Sequence, residues 1–256
     1  MLSKRSFSPA LIDVADQTIF FKSFLRNWFK KGFEWNEFLR QAYMIGYRSI
    51  GIIALTGFIL GFVLTLQSLP TMKQFGAVSF IPGMVSISVI REIGPVIVGL
   101  ICAGKISSSI GAELGSMNVT EQIDAMIVSG ANPMQYLVVT RILACILMIP
   151  LLTIFADVIA LLGGFISSNL EGSMSFRLYF NKATSVLEFS DLFPSIIKTT
   201  LFGFATGFVG CYKGFHSNRG TESVGLAANS AVVTASIWII VIDAIVVQIT
   251  NVFVYR

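Results

Sequence analysis

The stretch SIGIIALTGFILGFVLTLQSLPTM, Ser49 to Met72, decides the fold. It holds no Asp, Glu, Lys or Arg, and roughly 20 helical residues cross about 30 Å of hydrocarbon. It predicts a first membrane span. Working outward, Val78 to Gly104 is again apolar but is interrupted by Arg91-Glu92 and then by Gly94-Pro95, which predicts one long helix, kinked or broken. Ile142 to Ile166 carries only Asp157, Ile196 to Tyr212 only Lys198, and Val232 to Val254 only Asp243. The expected fold is all-α and integral to a membrane, with about five transmembrane helices.

The whole chain agrees with this reading. Of its 256 residues 54% are apolar and 12% charged, and the mean hydropathy is +0.78, whereas a soluble domain carries about 25% charged residues. One histidine (His216) and three scattered cysteines (Cys102, Cys145, Cys211) supply no metal-ligand or disulfide framework. A net charge of +4 and a pI near 9.0 would suggest nucleic acid in a soluble protein. Here Lys4, Arg5, Lys22, Arg26, Lys30, Lys31, Arg40 and Arg48 all precede the first span, as in a segment that lies on an anionic leaflet. The first 45 residues show no continuous apolar core of a cleavable signal peptide.

Within that leading region Phe21, Phe24, Leu25, Trp28 and Phe29 share one helical arc, and Lys22, Arg26, Asn27 and Lys30 the other. This predicts an interfacial amphipathic helix, broken at Gly32. A second amphipathic piece follows, with Trp35, Phe38, Leu39 and Ala42 opposite Glu37 and Arg40. The expected organisation is a cytoplasmic or interfacial region over 1–48 and a transmembrane domain over 49–256, with no inverted repeat or linker. With the N-terminus inside, 13 of the 18 cations fall on the cytoplasmic side, against Lys73, Arg177, Lys182, Lys198 and Arg256 outside, which places the C-terminus outside. The inner loops are then Ala112 to Arg141 and Lys213 to Ala231. The outer segment from Ser167 to Ser195 is expected to form short helices over the membrane.

Several local patterns bear on function. Gly99-Leu-Ile-Cys-Ala-Gly-Lys105 has the spacing of a phosphate-binding loop, but Ile106 cannot ligand Mg²⁺ and the stretch ends a membrane helix. It reads as small-residue packing. Gly57-x-x-x-Gly61 and Gly203-x-x-x-Gly207 are packing signals of the same kind, more often intramolecular than oligomeric. Arg91 and Glu92 are a functional hypothesis, because ions inside a membrane are costly. Adjacent helical residues point about 100° apart, so the two should address different partners in a polar cavity. Asp157 and Asp243 read as structural, and His216 as a solvated loop residue. In the inner loop Thr120 is a helix-start signal, with Ile123 and Met126 apolar, acids in the first turn, and stop signals at Gly130 and Asn132-Pro133. A short amphipathic helix is expected there.

These residues also carry a resemblance. Arg91-Glu-Ile-Gly-Pro95, Ala103-Gly-Lys105, Ala112-Glu-Leu-Gly-Ser-Met117, Val119 to Ala125 and Gly130-x-Asn132-Pro133 together resemble the MlaE-family permeases of Mla- and Mce-type lipid ABC transporters, over about Ser49 to Asp243. The resemblance implies a permease homodimer in the bacterial inner membrane, a cytosolic ATPase that carries ATP and Mg²⁺, and an outer MCE-domain carrier for phospholipid. It implies a part in outer-membrane lipid asymmetry. This chain itself is then no enzyme and binds no cofactor. Glu121, Gln122, Ile123, Asp124, Ala125 and Met126 match the coupling helix that docks on the ATPase, and Arg91 and Glu92 the polar pair beside the lipid path. The sequence departs from the family pattern at Lys105 (usually Arg), Asn118 (often basic), Thr140 (usually Pro) and Ala228-Asn229 (often two threonines).

Apart from the resemblance, an interfacial anchor, few intramembrane charges and an inner-loop helix without a nucleotide site favour a permease for an apolar cargo. A channel or ion-coupled carrier would show more convergent polar groups or paired repeats. A membrane-embedded enzyme would show nucleophile–base or metal-ligand spacing.

Overall fold

The computed structural model describes residues 9–30, 32–171, 174–217 and 220–253. The expectations on Lys4, Arg5, Lys31, Arg219 and Arg256 lie outside the described residues. The described residues form no strand and group into α1 (Pro9–Trp28), α2 (Trp35–Gln74), α3 (Val78–Val119), α4 (Gln122–Val128), α5 (Met134–Leu170), α6 (Phe176–Ser185), α7 (Phe189–Phe215) and α8 (Glu222–Val252). Five of them, α2, α3, α5, α7 and α8, are long and apolar enough to cross a membrane. They are the five spans read from the sequence, each longer than expected at one end or both, and the chain is an all-α membrane protein. The boundary between 48 and 49 falls inside α2, which runs through it without interruption.

The second span runs on through Gly94-Pro95 as one long helix and does not break there. Instead α3 widens into π-turns at Val89–Ile93 and Ala103–Ser107, and Pro95 sits in the first turn after the former. Proline is tolerated in a first turn because its missing N–H is not needed there. A third π-turn, Met134–Val139, opens α5.

Small residues draw the bundle together. Gly57 and Gly61 of α2 lie against the backbone of Ala156 and Ala160 on α5, where a Cβ on Gly61 would overlap the Ala160 carbonyl. Gly203 and Gly207 of α7 pack on Ile142 and Cys145 of α5 in the same way. Both glycine pairs therefore serve packing within the chain. Of the five spans α7 is the most enclosed and α8 the least. Leu55, Ile59 and Val63 on α2 and Ile237, Val241 and Ile245 on α8 point outward, an apolar girdle suited to hydrocarbon.

The N-terminal region departs from its expected faces. In α1, Phe24 is 1% exposed and Phe20 4%, and their rings meet Phe204, Phe208 and Tyr212 of α7 edge-on or tilted. Asn27, read as polar and outward, is buried as well. Phe21, Trp28 and Phe29 stay exposed, beside exposed Lys22, Arg26 and Lys30. Ring-to-ring packing with α7 outweighs simple amphipathicity here, because each buried aromatic removes a large apolar area from solvent. At the start of α2 the expected faces hold only in part: Ala42 is buried and Arg40 exposed as expected, but Trp35 and Leu39 are exposed while Glu37 is 4% exposed. Glu37 turns inward because Gln41 donates to it at 2.7 Å and Arg40 at 2.9 Å.

Candidate functional site

The far end of the bundle, where α7 begins, gathers charge that the sequence spreads over a hundred residues. Arg91 Nη2 pairs with Asp191 Oδ1 at 2.5 Å, and Lys198 Nζ pairs with Glu92 Oε2 at 2.8 Å and with Asp243 Oδ1 at 2.9 Å. Arg91 and Glu92 thus address different partners. The Lys198 ammonium donates to the Arg91 carbonyl at 3.2 Å as well as to Glu92, with the Asp243 carboxylate at ion-pair distance. This satisfies a lysine that is only 3% exposed, whose burial unpaired would be prohibitive.

The π-turn Val89–Ile93 contains Arg91 and Glu92. Such wide turns shift the hydrogen-bond register of a helix and recur at functional sites; here the turn presents both side chains and the Arg91 carbonyl to α7. Arg91, Glu92, Asp191 and Lys198 line a cavity of about 320 Å³ together with Pro194, Val247 and Thr250, and Asp243 stands behind Lys198. Arg91 is about one-third exposed and Glu92 nearly half. Two cations face three carboxylates, and each sign keeps one group open to the cavity.

Only Arg91 and Glu92 of this cluster were legible as site residues. Asp243, read as structural, is a member; Lys198, counted with the outer cations, is buried inside α7; Asp191 was missed. One signal was present: Asp191 and Lys198 are seven residues apart, which places them on one helix face. Asp157 is held in α5, its carboxylate against Gly94 and outside the set that lines the cavity.

The residues matched to a coupling helix lie elsewhere. From Arg91 to the end of α3 is roughly 40 Å of helix at 1.5 Å per residue, and α4 follows at the near end. α4 begins at Gln122, two residues beyond the expected start. Thr120 does not cap it: its hydroxyl donates to Ser116 O at 2.8 Å and closes α3. Glu121 turns the chain between the helices at φ 58°, a left-handed conformation that costs a non-glycine residue energy. Ile123 is buried and Met126 half-buried, while Glu121, Gln122, Asp124 and Ala125 are exposed. The helix stops at Gly130, φ 81°, where Ala131 N donates to Met126 O at 3.0 Å and Gly130 N to Ile127 O at 3.1 Å, a glycine C-cap of the Schellman type.

Beneath α4 lies another residue that the sequence counted only as a loop cation. Arg141 is 1% exposed and donates to Leu137 O at 2.9 Å and to Glu113 at 2.8 Å. This pair joins the helix that enters the α4 segment to the helix that leaves it. Lys105 donates to the Arg48 carbonyl, so it ties α3 to α2 within a helical π-turn and not in a phosphate-binding loop. His216 is exposed as expected, its ring 4.6 Å from that of Tyr212. Among the described residues no group of His, Cys, Asp and Glu is arranged to hold a metal ion.

Comparison with known proteins agrees with this architecture. The profile of the family described as Permease MlaE matches residues 38–249. A probable ABC transporter permease of Rickettsia typhi is 37% identical over 211 residues, 82% of each chain. One of Synechocystis is 34% identical over 197 residues, 77% of this chain and 75% of that one. The chloroplastic protein TRIGALACTOSYLDIACYLGLYCEROL 1 of Arabidopsis thaliana is 30% identical over 209 residues, 82% of this chain and 60% of its own. The chain, with its five apolar spans and its match over most of its length, belongs to the MlaE family of ABC transporter permeases.

Proposed function

We infer that this permease moves a phospholipid or similar amphiphile between the bacterial inner membrane and an MCE-type carrier outside it. A permease homodimer forms the path, and a separate cytosolic ATPase that binds ATP and Mg²⁺ drives it. The N-terminus lies inside and the C-terminus outside. The observation that carries the reading is the far-end cavity: about 320 Å³ suits a polar headgroup and not a whole lipid, and it sits among apolar helices that suit acyl chains. Arg91, partly open to the cavity, offers charge-assisted hydrogen bonds to a phosphate, and the open part of Glu92 offers a carboxylate to an amine. The Arabidopsis relative has a glycolipid in its name, which is in keeping with a lipid-related role. At the near end the exposed acids of α4 form the surface on which the ATPase docks. Without an ATPase there is no force on the path.

The test is the permease co-expressed with its ATPase and reconstituted in vesicles with a fluorescent phospholipid. Arg91→Gln and Glu92→Gln, made separately, should lower ATP-driven lipid transfer while the complex still assembles and melts within a few degrees of the unaltered chain. Normal transfer in both would remove the pair from the lipid path.

A further inference from the structure

The polar contacts around α4 do more than close its ends. Asn132, just beyond α4, uses both atoms of its amide: Oδ1 accepts from Gln135 N at 3.4 Å and starts α5, while Nδ2 donates to Asn27 Oδ1 at 2.7 Å. Asn27 is buried at the end of α1, where its own Nδ2 donates to Ser23 O at 2.8 Å. Three residues along, buried Gln135 donates to the Gly32 carbonyl at 2.9 Å. Tyr136 reaches Glu37 at 3.4 Å, at the first turn of α2. The segment that leaves α4 is therefore bonded in succession to the end of α1, to the turn between α1 and α2, and to the start of α2. On the entry side Asn118 Nδ2 donates to Ser217 O at 2.7 Å, at the end of α7, and α1 packs its buried phenylalanines on α7.

The geometry points to Asn132, Gln135 and Asn27 as positioning residues that couple α4 to the N-terminal helix, so that a displacement of the docking surface is passed to α1 and the base of α2 as well as along α3. Neutral amides suit this role. Their hydrogen bonds are directional and short in range, and a buried amide left unpaired is costly, so the contact transmits position without placing an ion between moving parts. Gly32, at φ 97°, supplies the turn that lets the backbone carbonyl reach Gln135. The inference rests on the reading of α4 as the ATPase-docking element.

The experiment uses the permease–ATPase complex in vesicles of phosphatidylethanolamine and phosphatidylglycerol, and reads fluorescent lipid transferred per ATP hydrolysed. Asn27→Ala and Asn132→Ala should each retain the ATPase and lower that ratio about fivefold, the scale of one buried hydrogen bond. The double variant should be no worse than either single, because both remove one interaction. Where Asn132→Ala fails to assemble, Asn27→Ala and Gln135→Met carry the same expectation through side chains that take no part in the Asn132 cap. An unchanged ratio with lowered melting temperature, or losses that multiply in the double variant, overturns the coupling role. Glu121→Lys with Asp124→Lys separates the two claims: if the complex still assembles with that chain, the docking reading falls and the coupling falls with it. If assembly is lost there while the asparagine variants keep a normal ratio, only the coupling is wrong.

Discussion

The two ends of α3 hold their neighbours by different chemistry. At the far end Arg91, Glu92, Asp191 and Lys198 form ion pairs around an open cavity, with Asp243 paired to Lys198. At the near end the segment around α4 is held mainly by amides and backbone carbonyls, alongside the contact of Tyr136 with Glu37 and the Glu113–Arg141 ion pair between α3 and α5. Charge in an apolar surrounding persists where a cavity, water or a ligand headgroup can solvate it. Where parts must keep register, neutral hydrogen bonds serve without the desolvation penalty of an ion. On the function and the coupling proposed above, the charges belong to the path and the amides to the joints.

The comparison breaks most readily at Lys198. Lys198→Met removes the one cation shared by Glu92 and Asp243, and breaking a buried pair from one side costs about 3–5 kcal/mol. Thermal unfolding in detergent should show the largest drop in melting temperature of any single change at the far end. A drop no larger than that of Arg91→Gln would mean that the two carboxylates hold their places without it.

Gly61→Val should come next. Its Cβ meets the Ala160 carbonyl, and overpacking of this kind costs about 1–3 kcal/mol; Gly51→Ala, with nothing near its Cβ, should leave the melting temperature unchanged. Arg141→Met sharpens the contrast between the ends. Glu113 is nearly half exposed and can rehydrate once abandoned, so the loss should be about 1–3 kcal/mol, smaller than at Lys198. A larger loss would make the near-end pair the tighter of the two.

The smallest effects belong to α1. Spin labels at 21 and 29 should report lipid and those at 22 and 26 water, whereas a label at 24 should be immobilised among the α7 rings. Free motion at 24 would detach α1 from the bundle.

Much of this was legible before any coordinates. The five spans follow from the length of nearly uncharged apolar runs, since a span must satisfy its own backbone, and the α4 stop signals at Gly130 and Asn132-Pro133 are local chemistry. Arg91 and Glu92 stand out because adjacent ions in apolar sequence have no local explanation. Their partners were not legible. Asp191, Lys198 and Asp243 each look like a lone charge near a helix end or in a span, and only the packing of α3, α7 and α8 brings them together. The faces of α1 and α2 misled for a related reason: amphipathic periodicity shows that two faces differ and does not say which one meets protein. Phe24 is buried because α7 supplies partners that lie far away in sequence, and Glu37 turns inward onto Gln41 and Arg40 of its own helix with Tyr136 of α5 beside it. The π-turns carry no sequence signal; Gly94-Pro95 suggested a break, and the wider turn before it removes the need for one.

The central claim, that the charged cavity is on the lipid path, is tested most directly by a photoreactive residue at Val247, which lines the cavity without belonging to its ion pairs. In vesicles that contain the complete transporter, the lipid adduct formed at 247 should change in yield when ATP is supplied, while a probe at outward-facing Ile59 should label lipid equally with and without ATP. No adduct at 247, or a yield indifferent to ATP like that at 59, would contradict the account.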